Sequence, residues 1–282
     1  RESAARVAAG SVARRFLENL GVSIHGRVVA LGGVEAEERT TFDWDLLEEA
    51  PYHVDRPNGS KMAAVRCSDP KAASRMIETI DAARESGDSL GGTIEVVAEG
   101  LPIGLGSHIQ WDRKLSTRLA AAMMSINAVK GVEFGAGFRQ SSLWGSQVHD
   151  VIAPFDSWGH NADGSMSRPW PRRTNNSGGL EGGMTTGEPL VIRAVVKPIA
   201  TLINGLETVD LVTGARIDKA HYERSDITFV PTCAVIGEAM AAIVLAEAVL
   251  EKFGGDHIDE TVRNWTSYVS TVGPRSMPDH LP

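Results

Sequence analysis

The sequence predicts a mixed fold of the α+β class. Several segments carry apolar residues at the spacing of an amphipathic helix. Other segments alternate β-branched with polar residues, as a strand with one buried face does. Helical and strand patterns do not alternate in a regular βαβ period, which argues against a doubly wound parallel sheet.

The first predicted helix runs from the start of the chain to Gly21. Its apolar residues recur at helical spacing and are Ala5, Ala9, Val12, Phe16 and Leu20. No capping residue precedes them and the chain opens at Arg1, so we expect a further segment upstream. The alternation after Gly21 predicts a strand over Ser23–Leu31.

A second helix is predicted after an acidic stretch over residues 35–68, which is interpreted as loop-rich. Asp69 is its expected N-cap, Pro70 its first residue and Gly87 its end. Residues 91–100 alternate and predict a strand. A third helix is expected from an N-cap at Asp112 through Lys130.

The second half of the chain begins with a long polar connection over residues 141–176. Residues 190–197 predict a strand that ends at Lys197, because Pro198 limits further pairing. An Ala-rich helix is predicted from Pro231 to Phe253, with a C-cap at Gly254. Its apolar residues surround the helix, which predicts burial on several sides.

The composition excludes several classes of protein. With 42% hydrophobic and 23% charged residues, the chain is globular. A net charge of -8 argues against nucleic-acid binding, and the longest nearly apolar stretch is too short for a membrane span. Two isolated cysteines predict neither disulfides nor zinc and favour the reducing cytoplasm. His108, His149 and His221 have no metal-ligand spacing, so no metal site is expected.

The densest chemical signal is the segment 173–187, which contains five glycines. Backbone amides in such a loop can form an anion-binding concavity. A flexible surface loop would have the same composition, and both interpretations stay open. The segment matches neither the Walker nor the Rossmann pattern.

Other candidates lie at the margins of predicted elements. Asn127 is at the edge of an apolar helical stripe, where most residues are simply boundary residues and a binding role is the less frequent alternative. The ammonium group of Lys197 either extends into water or serves to bind an anion. Arg224, Ser225 and Asp226 form either a salt-bridged turn or a site in which the carboxylate relays a proton.

These segments together resemble the chorismate synthase family. The resemblance rests on DRKLS at 112–116, AMMSINAVKGVEFG at 122–135, GS at 145–146, HD at 149–150, the glycine-rich segment from Arg173, VKPI at 196–199 and ERSD at 223–226. These motifs occur in the family's order and cover nearly the whole chain. The resemblance implies a single domain over residues 1–282 that is incomplete at its amino terminus, with a non-family tail over 269–282.

The resemblance implies a four-layer β/α/α/β sandwich with antiparallel sheets around a helical centre. The implied reaction is a trans-1,4-elimination of phosphate from 5-enolpyruvylshikimate-3-phosphate that depends on reduced FMN. The resemblance also implies a homotetramer with flavin sites near the subunit interfaces. In the family, the helix that carries Asn127 usually belongs to the neighbouring subunit that completes each flavin site. The short connection between Asp150 and Arg173 favours the monofunctional bacterial type, which receives reduced FMN from an external flavin reductase.

The resemblance also implies roles for individual residues. Asp226 matches the family's catalytic aspartate, and Arg1 and Arg224 would face the substrate. Residues implied to contact FMN are Asn127, Ala128, Gly182, Lys197, Pro198, Ile199, Ala200, Thr201 and Arg224. Lys197 and Thr201 would lie near the FMN phosphate.

One departure from the family leaves an alternative function open. The family's two catalytic histidines belong to an amino-terminal segment that this sequence does not contain, and none of the histidines here matches them. The alternative is a non-catalytic flavin- or phosphate-binding oligomer. An upstream segment that resembles GESHG would distinguish the two.

Overall fold

The architecture was obtained from a computed structural model. The structure describes residues 1–37, 44, 53–55, 61–63, 65–154 and 170–273. The expectations for 155–169 and for 274–282 in the predicted tail lie outside the described residues.

The centre of the fold is a five-stranded antiparallel sheet with the order β2-β1-β5-β9-β6. Its strands are β1 (Ser23–Leu31), β2 (Val34–Glu35), β5 (Gly92–Glu99), β6 (Val129–Phe134) and β9 (Leu190–Val196). Three small hairpins are formed by β3 (His53–Asp55) with β4 (Lys61–Ala63), β7 (Leu180–Glu181) with β8 (Met184–Thr185), and β10 (Thr208–Val209) with β11 (Arg216–Ile217).

The described residues also form helices, and the one over Val230–Phe253 packs on one face of this sheet. The helices are α1 (Glu2–Glu18), α2 (Pro70–Ser86), α3 (Leu115–Met124), α4 (Gly145–Val148), α5 (Val230–Phe253) and α6 (Ile258–Val269). Helix α5 lies against β1 and β5 and is flanked by α1 and α3. Side chains alternate along a strand, so Ile94 and Val96 face α5 while Glu95 faces the opposite side of the sheet.

Two glycines permit the close packing of this helical layer. A Cβ at Gly10 of α1 would lie 2.4 Å from the Cβ of Ala239 in α5. A Cβ at Gly26 of β1 would lie 2.7 Å from the carbonyl oxygen of Ala234. Helix α5 therefore approaches α1 and the sheet more closely than larger side chains allow.

Helix α1 is present, but its predicted apolar stripe is only partly correct. Phe16 packs against the core and Leu20 is buried, whereas Ala5, Ala9 and Val12 are exposed. Val12 is 74% exposed, whereas Gly10 and Leu17 are buried against the rest of the fold. The glycine permits the tightest helix crossing, so it determines which face of α1 turns inward. The predicted stripe assumed that the bulkier apolar residues would decide this.

The predicted helix from Asp112 to Lys130 was also wrong at both ends. A short 3₁₀ turn over Trp111–Arg113 precedes α3, which ends at Met124. Ala128 adopts a left-handed conformation with φ of 71°, which stops helical continuation. The residues after Ala128 form β6 and pair with β9. Asn127 therefore lies in a turn and not on a helix.

Other sequence predictions agree with the structure. Strand β1 spans the predicted residues, and Asp69 caps α2 by accepting hydrogen bonds from the amides of Lys71 and Ala72. Gly87, with φ of 72°, ends that helix. The acidic stretch expected to be loop-rich contains the hairpin of β3 and β4.

The observed architecture confirms the α+β class with antiparallel sheets. Helix α5 is long and apolar enough to cross a membrane by length and composition alone, so the sequence prediction that no apolar stretch is long enough was wrong. However, 72% of its most apolar window is buried in the protein, between the sheet and its neighbouring helices. It is therefore the core helix of this fold.

Candidate functional site

Several predicted site residues converge at one end of the sheet. There β9 ends at Val196, which pairs with Gly92 at the start of β5 and with Val129 at the start of β6. The amide of Lys197 donates a 2.9 Å hydrogen bond to the carbonyl of Ala128. The turn of Asn127 and Ala128 and the segment after β9 thus meet within one chain.

The segment from Lys197 to Thr201, called here the 197–201 segment, is held by its carbonyl groups. The carbonyl of Ile199 accepts a 2.6 Å hydrogen bond from the Ser89 hydroxyl. The carbonyl of Thr201 accepts a 3.1 Å hydrogen bond from the Ser225 hydroxyl. Since Ser225 lies between Arg224 and Asp226, this contact brings the predicted substrate- and FMN-binding arginine and the predicted catalytic aspartate to the 197–201 segment.

The amides of the same segment are unpaired. Across the described parts of the chain, no group accepts a hydrogen bond from the amides of Ile199, Ala200 or Thr201. Lys197, Pro198 and Ala200 are exposed. A cation beside consecutive unpaired amides is a favourable environment for an anion.

The turn over residues 87–92 supports both parts of this site. Besides the contact of Ser89 with Ile199, the amide of Leu90 donates to the carbonyl of Ile227, just after Asp226. A Cβ at Gly91 would lie 2.5 Å from the carbonyl oxygen of Val196 and 2.8 Å from the Pro198 ring. Only glycine therefore permits the turn to lie directly under the 197–201 segment.

Sequence reasoning missed Ser89. The turn was interpreted only as the end of α2 and the beginning of β5, and a lone serine between glycines has no periodic signal. The available clue was the pair Gly91 and Gly92 at the start of a strand, which indicates close backbone approach.

Arg224 and Asp226 are both exposed at this end of the sheet. Within the described residues, neither side chain has a hydrogen bond or an ion pair. The local salt-bridged turn considered as an alternative is therefore not formed by these two residues. Both charged groups remain available to a ligand.

The glycine-rich segment is anchored by Asp150. This buried carboxylate accepts hydrogen bonds from the Thr174 hydroxyl at 2.6 Å and from the amides of Asn176 and Ser177 at 2.8 Å. Burial raises the pKa of Asp150, but these hydrogen bonds outweigh burial and bring its pKa below the usual value. The segment thus begins at a fixed anchor, which argues against the flexible-loop interpretation.

Gly182 is not brought to the 197–201 segment within one chain. It lies at the exposed tip of the β7–β8 hairpin, and the next residue, Gly183, accepts a hydrogen bond from the amide of Leu115 at the start of α3. Asn127 lies beyond the other end of α3. Ten helical residues separate the two ends by about 15 Å.

Arg1 is exposed at the start of α1. A link between this helix and the site is made by Arg6, whose guanidinium donates a 2.8 Å hydrogen bond to the Ser125 hydroxyl, two residues before Asn127. The first turns of α1 therefore lie on the side of the molecule that carries the site.

No group of three or more potential metal ligands occurs in the part of the chain that the structure describes. His108, His149 and His221 are exposed. The groups that the candidate site presents are cations, unpaired amides and the Asp226 carboxylate.

Comparison with known proteins identifies the family. The sequence model described as Chorismate synthase matches residues 1–250. The chain belongs to the chorismate synthase family. The resemblance carried by the motifs is thereby confirmed.

Individual relatives agree with this assignment. The chain is 49% identical to a chorismate synthase of Thermobifida fusca, over 96% of this chain and 64% of the relative. It is 51% identical to a chorismate synthase of Saccharopolyspora erythraea, over 98% of this chain and 64% of the relative. The chain thus spans less than two thirds of the length of these curated relatives.

A solved structure agrees as well. A crystal structure of chorismate synthase superposes with a TM-score of 0.73 at 40% identity, covering 96% of this chain and 70% of the other. At 40% identity, the similarity indicates membership of the same family and not only a shared fold.

The residues at the end of the sheet fit the phosphate group of a flavin mononucleotide. Lys197 supplies a cation, the 197–201 segment supplies unpaired amides, and Gly91 lets that segment lie close to the turn beneath it. The oxygen atoms of a phosphate monoester accept hydrogen bonds from such amides and pair with such a cation.

Proposed function

We propose that this protein, at its full length, is a chorismate synthase. It eliminates phosphate from 5-enolpyruvylshikimate-3-phosphate to form chorismate, and it depends on reduced FMN. The observation that carries the proposal is the convergence of Lys197, the unpaired amides of the 197–201 segment and the Arg224–Asp226 triplet at one end of the sheet.

In this proposal the chain's residues divide the work of binding. Lys197, Thr201 and the amides between them hold the FMN phosphate, and Asn127, Ala128 and Gly182 contact the flavin. Arg1 and Arg224 bind the anionic substrate, whose phosphate and carboxylates require cations in a protein that is acidic overall.

Bound reduced FMN supplies electron density that helps the phosphate leave. The chain's own contribution to the chemistry is Asp226, whose carboxylate helps to take up or relay the proton that the substrate ring loses. Its exposure and its lack of a partner among the described residues support that role.

We further propose a cytoplasmic homotetramer that receives reduced FMN from a separate flavin reductase. The separation of about 15 Å between the two ends of α3 supports a site that combines parts of two subunits. Gly182 and the 197–201 segment would then meet at a subunit interface.

The decisive experiment is anaerobic turnover of 5-enolpyruvylshikimate-3-phosphate by the full-length protein. Chorismate absorbance and released phosphate are followed with and without dithionite-reduced FMN. Equal yields of chorismate and phosphate only with reduced FMN support the proposal. Flavin binding by a folded oligomer without product would instead favour the non-catalytic binding protein.

A further inference from the structure

The hydroxyl of Ser89 occupies a special place beneath the site. Ser89 is only 8% exposed, and its hydroxyl donates a 2.6 Å hydrogen bond to the carbonyl of Ile199. That carbonyl belongs to the peptide group that also contains the amide of Ala200. The orientation of one end of this peptide group therefore determines the orientation of the other.

The geometry of the peptide bond makes this link strict. No cis peptide occurs in the described chain, and in a trans peptide the C=O and N–H bonds point in opposite directions. Because the Ile199 carbonyl points to buried Ser89, the Ala200 amide points away from it. Ala200 is exposed, and no described residue accepts a hydrogen bond from its amide.

Ser225 holds a second carbonyl of the segment, two residues after Ile199, in the same way. Ser225 donates to the carbonyl of Thr201, and the peptide group of that carbonyl also carries the amide of Leu202. The amide of Leu202 likewise has no acceptor within the described residues. Two hydroxyls thus hold alternate peptide groups of one segment in the same way.

We propose that Ser89 is a positioning residue that aims the amide of Ala200 at the phosphate monoester of the flavin. Ser225 acts in the same way on the peptide group between Thr201 and Leu202. The proposal rests on the proposed function, because it concerns the same cofactor site. Ser89 itself does not touch the ligand. It acts through the peptide group between Ile199 and Ala200.

This role predicts a specific loss of phosphate recognition. Without the Ser89 hydroxyl, the peptide group can rotate and the amide loses its fixed direction. An amide hydrogen bond to a charged phosphate is worth roughly a 10- to 100-fold change in affinity. Riboflavin lacks the phosphate, so its affinity should not depend on Ser89.

The test compares two flavins on the full-length protein. Dissociation constants of reduced FMN and reduced riboflavin are measured by anaerobic calorimetry for wild type, Ser89→Ala and Ser225→Ala. Ser86→Ala is the matched control, because the Ser86 hydroxyl bonds only to Ala83 within its own helix. Melting temperatures of all variants report on folding, and Ser225→Thr tests rescue by a retained hydroxyl.

We expect the preference for FMN over riboflavin to fall roughly 10- to 100-fold in Ser89→Ala. It should fall in Ser225→Ala, return in Ser225→Thr and stay unchanged in Ser86→Ala. Suppose that Ser89→Ala or Ser225→Ala folds and either weakens the binding of both flavins equally or changes the binding of neither. The positioning role is then overturned while the proposed function stands. A wild type without preference for FMN would overturn the proposed cofactor site, and the positioning role with it.

Discussion

Asp226 is exposed and has no partner among the described residues, so its carboxylate can be altered without disturbing the fold. Replacing it with Asn removes the charge and keeps the shape. We expect Asp226→Asn to retain FMN affinity and to lower kcat by roughly 10²- to 10⁴-fold, the usual contribution of a positioned acid or base. Flavin titration and anaerobic turnover measure the two effects.

The control for this substitution is Asp256→Asn, an exposed carboxylate that follows the end of α5 farthest from Asp226. It should leave turnover close to the wild-type value. Equal loss of flavin binding and turnover in Asp226→Asn would contradict a role in proton transfer.

Asp150 is the residue whose charge anchors the glycine-rich segment. Asn at this position keeps one acceptor oxygen but places an NH₂ group against a backbone amide, so a buried donor loses its acceptor. We expect Asp150→Asn to lower the free energy of unfolding by about 1–3 kcal/mol at neutral pH. Urea denaturation of the full-length protein checks this value.

The pH dependence follows from the direction of the pKa shift. Although burial opposes them, hydrogen bonds from Thr174, Asn176 and Ser177 hold the folded-state pKa of Asp150 below its ordinary value. Its stabilising contribution is therefore fully present above the unfolded pKa and is lost as pH falls through the folded one. The stability difference between wild type and Asp150→Asn should shrink below about pH 4.

A matched control is Asp210→Asn. Asp210 also accepts hydrogen bonds from backbone amides, but in an exposed hairpin loop. This substitution should change global stability much less. A similar loss at both positions would indicate that burial of Asp150 is irrelevant.

At the scale of elements, the contact between α1 and α5 depends on Gly10. Helix propensity alone would favour alanine over glycine by about 1 kcal/mol. The added Cβ would however lie 2.4 Å from the Ala239 Cβ and 2.5 Å from its Cα. We expect Gly10→Ala to destabilise the protein by about 1–2 kcal/mol net, because overpacking outweighs propensity.

A double-mutant cycle isolates this contact. Ala239→Gly removes the nearest of the three clashing atoms, so the double variant should lose less stability than the sum of the single variants. Strict additivity in thermal or urea unfolding would show that the two helices do not meet at this point.

At the scale of the whole molecule, a buried ionic network joins distant parts of the chain. Glu95 in β5 is 1% exposed, and its two oxygens accept hydrogen bonds from Arg27 in β1 and Arg193 in β9. Neutralising Glu95 leaves two guanidinium groups without this central anion. We expect Glu95→Gln to cost about 3–5 kcal/mol, measured by urea unfolding.

The control is Glu35→Gln at the edge strand β2. Glu35 is exposed and has no ion pair with any described residue, so its neutralisation should change stability by less than about 0.5 kcal/mol. A loss below about 1 kcal/mol in Glu95→Gln would mean that the network contributes no more than a surface ion pair.

Local signals decided many of the element boundaries correctly. Strand β1, the caps of α2 and the long helix α5 follow from alternation, from the pair Asp69 and Gly87, and from a continuous apolar run. These signals are local, because capping and periodicity depend on neighbours in sequence. The family motifs are likewise readable along the chain, and the family is confirmed.

Tertiary structure alone decided the inward face of α1, the end of α3 and the support of the candidate site. Gly10 acts through its contact with Ala239, and Ser89 acts through its hydrogen bond to Ile199, so both depend on residues far away in sequence. Ala128 acts through its left-handed backbone angle. No periodic pattern encodes such contacts. The sequence by itself thus determined the class, the family and the candidate residues, whereas the folded chain decided which of them meet, because strand pairing brings residues 89, 128, 199 and 225 to one end of the sheet.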